Sequence, residues 1–261
     1  MAARRSSSHK HDLVLFPPPD SLEGDGYWYV TQRPWPSLVF VLPMLLLFEG
    51  FTYFRTGGAL GGANELVAAW LIEWLVNTLG ATGTFFPGLL VIAILLGWHI
   101  AARQPWRFDK WVLCAMLGES LLWVVPLFVV NRLVNQATLA GGIEARNEWI
   151  DQIIRCLGAG IYEELVFRLI AITLLVIILV DVMNLPRTFA ATLIILLPAV
   201  FFAWLHHPPL GKEPFTYVNF LFRTLAGIYL SGLFVFRGFG IAAGSHAFYN
   251  VIVVTLDAVQ S

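Results

Sequence analysis

Charged side chains are scarce in this chain of 261 residues: Asp, Glu, Lys and Arg together make up 13% of it. A soluble domain of this length carries about 25% charged residues. Hydrophobic residues account for 58% of the chain, and its mean hydropathy is +0.73. The shortage of charge excludes an ordinary soluble domain and predicts an all-α, multi-pass transmembrane helical bundle, integral to a membrane.

The chain also has few cysteines and no excess of either charge. Its two cysteines, Cys114 and Cys156, fall in or beside apolar segments, so we interpret them as small buried hydrophobic side chains. We expect neither a disulfide nor a metal pair from them. The formal net charge of −1 gives no argument for a nucleic-acid partner, and the lipid bilayer is the expected surrounding.

The chain contains several long apolar runs. An apolar stretch of about 20 residues can cross a bilayer as a helix. We predict about seven spans, at residues 37–53, 84–102, 111–130, 161–180, 188–204, 217–236 and 241–256. Residues 63–79 contain Glu65 and Glu73, so we assign them to an interfacial amphipathic helix, with an eighth span as the alternative.

The chain divides into a polar tail at residues 1–34, transmembrane helices at 35–150 and a helical core at 151–261. Basic residues cluster in the tail and in the segment 103–110. These two clusters lie on the same side of the membrane if residues 63–79 do not cross it. The positive-inside rule then places the N-terminus in the cytoplasm, and we expect the plasma membrane of a prokaryote. Polar residues at 144–152 predict an amphipathic lead-in outside the hydrocarbon.

Two adjacent carboxylates, Glu163 and Glu164, stand at the start of an apolar run. An ionisable residue inside a span is costly and marks a functional site. Glu164 and Arg168 are four residues apart and share one helix face, so we predict an ion pair between them. Glu163 is rotated about 100° from Glu164 and has no local counter-charge. The pattern therefore leaves Glu163 free to act as a general base.

Three more polar residues are embedded in later apolar runs. His206 follows the span at 188–204, and His246 and Asn250 are four residues apart in the last span, where they project from one face. Taken singly, each has a structural explanation as a helix cap, an ion pair or an interhelical hydrogen bond. Together they indicate a polar intramembrane cavity between three spans.

These residue types can perform hydrolysis. Glu163 with His206 can take a proton from water and return it to a leaving amine, while His246 and Asn250 can donate hydrogen bonds to an oxyanion. A transporter with a proton-relay carboxylate is another possibility, because Glu and His also mark such paths. The lack of a detectable inverted repeat counts against a transporter.

The same residues form a three-part pattern: Glu163-Glu164-x-x-x-Arg168, Phe202-x-x-x-His206 and His246-x-x-x-Asn250. This pattern resembles the three-motif signature of the CPBP family, which includes the type II CAAX prenyl endopeptidases and the bacterial abortive-infection proteins. The resemblance covers roughly residues 151–261, and the preceding part of the chain resembles nothing specific. Each motif alone is weakly specific, whereas three in order, each in an apolar helix, are strongly so.

The resemblance implies an intramembrane glutamic-type endopeptidase acting on a membrane-associated protein or peptide. In that activity Glu163 and His206 activate water, and His246 and Asn250 form the oxyanion site. The motif spacing selects His206 over the adjacent His207, which we expect to reach the interface. Counting along the predicted spans places Glu163 and His206 near one membrane face and starts the His246 span from the other. A common site therefore requires some span boundaries to shift.

By the same resemblance, Glu164 and Arg168 are structural or assist Glu163. No His-Glu-x-x-His zinc motif is present, and we expect no cofactor. Catalytic zinc stays open as an alternative, because Glu163, His206 and His246 could form a three-ligand site with an open water position.

A second function class also fits the cavity. A catalytically silent membrane scaffold or immunity protein could use the same polar residues to bind a partner. The pair His246 and Asn250 discriminates between the two readings: an oxyanion site needs both donors, whereas a scaffold should tolerate Asn250→Ala.

Overall fold

The computed structural model describes residues 26–56, 66–78, 86–107, 109–134 and 149–260. Within these residues all regular secondary structure is helical, with no strand. In chain order the helices are α1 (Tyr27–Val30), α2 (Pro34–Thr56), α3 (Val67–Thr78), α4 (Phe86–Ala101), α5 (Lys110–Leu122), α6 (Val124–Val134), α7 (Trp149–Glu164), α8 (Ala171–Val176), α9 (Arg187–Leu205), α10 (Tyr217–Arg237) and α11 (Phe239–Gln260). The predicted all-α architecture is confirmed.

Six helical segments of the described chain are long and apolar enough to cross a membrane. They are Pro34–Arg55, Lys110–Val134, Trp149–Val182, Arg187–Leu205, Tyr217–Arg237 and Phe239–Val259. A shorter apolar helix, Pro87–Ala101, stands where a span was predicted at 84–102. Helices satisfy their own backbone hydrogen bonds, as lipid requires. The chain is therefore an integral, multi-pass membrane protein.

Helices α2 and α4 run antiparallel beside each other. Trp35 at the start of α2 lies 5.0 Å, between ring centroids, from Trp106, which follows the end of α4. The chain between them, which includes α3, thus begins and ends on one side of the bundle. The 12 residues of α3 span only about 18 Å, against a hydrocarbon core of about 30 Å. The interfacial assignment of 63–79 stays a prediction, and residues 63–65 and 79 lie outside the described residues.

A buried ion pair anchors the segment before α2. Arg237, 1% exposed, donates to both carboxylate oxygens of Glu119 at 2.5 and 2.8 Å and to the Trp28 carbonyl at 3.0 Å. The Tyr27 hydroxyl donates to Glu119 at 2.5 Å. Burial, reinforced by this hydrogen bond, raises the pKa of Tyr27 above its usual range, so the phenol remains a donor. We call Tyr27, Glu119 and Arg237 the anchor cluster.

The anchor cluster bears on the predicted boundary of the N-terminal tail. Residues 26–34 were predicted to belong to a polar tail, but they pack against the helices, because Arg237 and Glu119 bind them from distant parts of the chain; residues 1–25 lie outside the described residues. Glu119 packs against α10 through Arg237 at the end of that helix.

The span predicted at 161–180 has the wrong start. The helix runs without a break over 34 residues, Trp149–Val182, about 51 Å. Its polar beginning was assigned to a lead-in outside the hydrocarbon, but Asp151 pairs with Arg55 of α2 at 2.6 Å. A charged residue can thus belong to the helix when another helix neutralises it. Residues 144–148 of the predicted lead-in lie outside the described residues.

Glu163 and His206 lie at one depth in the bundle, as the predicted spans place them. Glu163 lies 19 residues before Val182, and His206 lies 19 residues after Arg187, where α9 begins. The two helices are joined by a turn of four residues and pack against each other. At 1.5 Å per residue both side chains are about 28 Å from that turn. They consequently occupy the same level of the bundle.

Candidate active site

Close packing of α7 and α11 brings the first and third motifs together. A Cβ added to Gly160 would lie 2.6 Å from the Cβ of Ala247 and 2.7 Å from its backbone nitrogen. Only glycine allows the two helices to approach this closely, which is the usual role of small residues between membrane helices. Because Ala247 follows His246 in the sequence, this contact places His246 beside Glu163 and Glu164.

The predicted pair of Glu164 and Arg168 is confirmed. Arg168 Nη1 lies 2.9 Å from Glu164 Oε1, and both side chains are 0% exposed. Arg168 Nη2 donates to the Gly227 carbonyl of α10 at 3.4 Å, and its guanidinium carbon lies 4.7 Å from the centre of the Phe202 ring. Arg168 belongs to a π-helical turn, Leu165–Ile170, directly after the glutamates. A buried carboxylate is thus neutralised within its own helix.

Glu164 has a second partner that sequence reasoning missed. His246 Nδ1 lies 2.8 Å from Glu164 Oε1. A carboxylate bound to arginine accepts hydrogen bonds, so Nδ1 carries a proton and the other ring nitrogen, Nε2, faces the cavity. The residues are 82 positions apart, and no local pattern indicates the contact.

Glu163 lies between the two histidines. Its Oε1 is 3.7 Å from His206 Nε2, and its Oε2 is 3.6 Å from His246 Nε2. Both separations exceed the hydrogen-bond limit and are of the size that a bridging water spans. Glu163 is 7% exposed and is not bound by an arginine of its own helix. The predicted difference between the two glutamates is therefore present in the structure.

His206 is oriented by the end of α9. It caps that helix, and its Nδ1 lies 2.7 Å from the Phe202 carbonyl of the preceding turn. A carbonyl only accepts, so Nδ1 is protonated and Nε2 is directed to Glu163. His207 faces another way: its Nδ1 lies 3.1 Å from the Glu213 carbonyl. The expectation that His207 reaches the interface is wrong, because it is 2% exposed beneath its own loop.

Asn250 lies one turn beyond His246 on α11, about 6 Å along the helix axis. It is half-buried, and none of the described residues hydrogen-bonds to its amide. Contacts among the described residues thus join Glu163, Glu164, Arg168, His206 and His246. Asn250 continues the same helix face from His246.

Other charged side chains have partners that the sequence did not indicate. Arg223 of α10 binds Glu213 at 2.5 Å. Glu49 of α2 accepts a hydrogen bond from Tyr162, the residue before Glu163. All of these contacts join separate segments, so helical spacing could not have found them.

Zinc stays an alternative that the chelator experiment below tests. Within the described part of the chain, no group of three or more His, Cys, Asp or Glu side chains is placed to hold a metal ion. His206 and His246 each bond a protein oxygen through Nδ1 and leave Nε2 facing Glu163, an arrangement that metal-ligating histidines also show.

Comparison with known proteins identifies the part of the chain that carries the site. Residues 145–252 match the family model described as type II CAAX prenyl endopeptidase Rce1-like. No curated protein and no solved structure gives a significant match to the chain. The matched region contains all three motifs and the contacts between them. Residues 145–252 therefore form an Rce1-like domain, of the kind described for type II CAAX prenyl endopeptidases.

Proposed function

We propose that this protein is a glutamic-type intramembrane endopeptidase that hydrolyses a peptide bond of a membrane-associated protein or peptide. The observation that carries the proposal is the Glu163 carboxylate, which faces Nε2 of His206 and of His246 at 3.7 and 3.6 Å. The neighbouring Glu164 is already neutralised by Arg168. One carboxylate is thereby structural, and the other is free to move a proton.

Water activation follows from the hydrogen bonds of His206. With Nδ1 held by the Phe202 carbonyl, the neutral ring presents an unprotonated Nε2 to Glu163. His206 Nε2 and Glu163 Oε1 are both hydrogen-bond acceptors and lie 3.7 Å apart. A water molecule between them can donate one hydrogen bond to each. Glu163 takes one proton of that water as general base while His206 orients it through the other. The resulting hydroxide attacks the carbonyl carbon of the scissile bond.

The oxyanion formed by that attack needs hydrogen-bond donors. Asn250 can donate through its amide, and His246 can donate through Nε2 when both of its ring nitrogens carry protons. Glu164, at 2.8 Å from Nδ1, orients the ring so that Nε2 faces the cavity. Such preorganised donors in a low-dielectric site lower the barrier by several kcal/mol. Glu164 accordingly acts as a positioning residue for His246.

The reaction ends with transfer of the proton held by Glu163 to the leaving amide nitrogen, which breaks the C–N bond. Collapse of the oxyanion expels the amine and leaves a carboxylic acid, whose proton passes to the amine at neutral pH. The products are therefore a carboxylate and an ammonium group, both protons of the water are accounted for, and Glu163 returns to its ionised form. The cycle needs no redox partner or nucleotide.

The family description supplies the substrate class to test first. A CAAX endopeptidase acts at a C-terminal sequence whose cysteine carries a prenyl group, and a bilayer location suits a lipidated peptide. We carry this class to the present chain as part of the proposal. We also propose that residues 151–261 form the catalytic unit, that residues 35–150 support it, and that the N-terminus is cytoplasmic.

The test compares purified wild type with Glu163→Gln in lipid nanodiscs, using quenched fluorogenic CAAX peptides with and without a farnesyl group. Glu73→Gln on α3 is the matched control, because it makes the same chemical change outside the site. Each protein is assayed with and without a chelator. We expect Glu163→Gln to lose at least about a thousandfold in kcat/KM, as losing both the base and proton transfer implies, and Glu73→Gln to match wild type.

Three results would change the proposal. Full cleavage by Glu163→Gln would remove Glu163 from the base role. Loss of cleavage with chelator and recovery with zinc would make Glu163 and the histidines ligands. Equal activity of Asn250→Ala and wild type would remove the amide from the oxyanion site and favour a binding role for the cavity.

A further inference from the structure

The loop between α9 and α10 folds back onto His206. The Glu213 N–H donates to the His206 carbonyl at 3.1 Å, and the Gly211 N–H donates to the His207 carbonyl at 3.0 Å. These bonds satisfy carbonyls that the end of a helix leaves without partners. A Cβ on Gly211 would lie 2.0 Å from the carbonyl carbon and oxygen of His206. The loop therefore closes tightly around the residue that binds water in the proposed reaction.

One side-chain pair fastens this loop to the bundle. Arg223 Nε lies 2.5 Å from Glu213 Oε2, with side chains 28% and 29% exposed. Arg223 stands one helical turn before Gly227, whose carbonyl binds Arg168. Helix α10 thus holds the first motif through Gly227 and the second motif through Arg223. We call Glu213 and Arg223 the loop pair.

Restraint matters here because His206 is at a helix end. Terminal turns of helices fray and open at low free-energy cost. At the end of α9, the His206 N–H bonds the Ala203 carbonyl at 3.3 Å, a long and weak contact. Without an outside restraint, Nε2 would not stay at a constant distance from Glu163. The backbone bond from Glu213 supplies that restraint, and the side chain of Glu213 is held in turn by Arg223.

We propose that Glu213 and Arg223 are positioning residues: their ion pair holds the loop and thereby keeps His206 aligned with Glu163. This inference rests on the proposed function. Neither residue touches the reacting atoms in this role. Their loss should lower kcat while leaving KM and the thermal unfolding midpoint unchanged, since the pair is partly exposed and the helix packing stays intact.

The first measurement is independent of any substrate. Hydrogen–deuterium exchange in nanodiscs reports the amides of His206, His207 and Glu213, all of which are hydrogen-bonded in the structure. We expect Glu213→Gln to raise exchange across residues 205–213 by roughly three- to tenfold, as the loss of one exposed ion pair implies. The matched control is Arg55→Gln, which breaks an ion pair at 2.6 Å near the start of α7. Exchange at 205–213 that is equal in all three proteins would overturn the proposal.

The second measurement is a double-mutant cycle on the cleavage reaction. We expect Glu213→Gln and Arg223→Gln each to lower kcat by roughly three- to tenfold, and the double variant to be no worse than either single one, because both break one pair. Arg223→Lys should recover most of the loss. The Arg55→Gln control should cleave like wild type.

The cycle also separates this role from a direct effect of Arg223 on Glu163. If Arg223 acts only through its charge on Glu163, Glu213→Gln will be fully active, Arg223→Gln will shift the pH profile, and the loop pair will lose its positioning role. Failure of the proposed function is recognised differently: Glu163→Gln would then cleave as well as wild type, whatever the loop pair does.

Discussion

The contact between Gly160 and Ala247 leads to a sharp prediction. In Gly160→Ala the new methyl group would lie 2.6 to 2.8 Å from three atoms of Ala247, two of them backbone atoms, whereas ordinary contact begins at 3.4 Å. Backbone atoms cannot rotate away, so α7 and α11 must separate by roughly 0.6 to 0.8 Å. His246, adjacent to Ala247, moves with α11 away from both glutamates.

The size of the effect follows from that displacement. A shift of about 1 Å in a catalytic group can cost about a hundredfold in rate, so we expect kcat/KM to fall by roughly 10- to 100-fold. Overpacking costs about 1–3 kcal/mol, and replacing a helical glycine with alanine recovers up to about 1 kcal/mol. Global stability should therefore fall little, and activity should fall much more.

The assay measures peptide cleavage and thermal unfolding on the same purified samples. Gly232→Ala is the matched control, because a Cβ there has nothing within 4 Å, and it should keep full activity. Adding Ala247→Gly to Gly160→Ala removes one of the three close atoms and should restore activity only in part. Wild-type activity in Gly160→Ala would refute the reasoning, since it would mean that the helices can separate without moving the site.

Two further predictions concern the buried charges. Glu164→Gln should lower kcat by about 10²- to 10³-fold, the cost of losing one oxyanion donor, because His246 loses the carboxylate that binds its Nδ1 at 2.8 Å and orients the ring; equal kcat would show that His246 does not depend on Glu164. Glu119→Gln should lower the free energy of unfolding by about 3 kcal/mol, because Arg237 is left buried without its counter-charge, while the fraction that remains folded keeps its kcat. Chemical denaturation followed by activity measurement at low denaturant checks the second prediction, which fails if the variant is as stable as wild type.

Local sequence patterns predicted a large part of the structure. The apolar runs identified the helical bundle, because lipid leaves helices as the simplest way to satisfy a continuous backbone. The spacing of Glu164 and Arg168 predicted their ion pair, since residues four apart share a helix face. The roles of Glu163, His206 and Asn250 in catalysis stay predictions that the experiments above address.

Contacts between distant segments could not be predicted in the same way. The sequence placed Asp151 in the polar lead-in and did not indicate its partner, because Arg55 lies 96 positions earlier. The bond from His246 to Glu164 depends on the close packing of α7 and α11. Gly160 permits this packing, but a single glycine in the sequence does not predict which helix will pack against it. Single-sequence reasoning finds a charge that needs a partner and leaves the partner unknown.

The anchor cluster has a consequence for biogenesis. Arg237 is synthesised 118 positions after Glu119, so a long stretch of chain must follow Glu119 before its charge can be neutralised. Until then the partial bundle carries a carboxylate without its counter-charge in the α5 segment, a costly state in a bilayer. Relief of that cost requires α10 to insert, and α10 is followed at once by α11 with His246. Completion of the charge pair and delivery of the last candidate site residues therefore belong to the same late stage of membrane insertion.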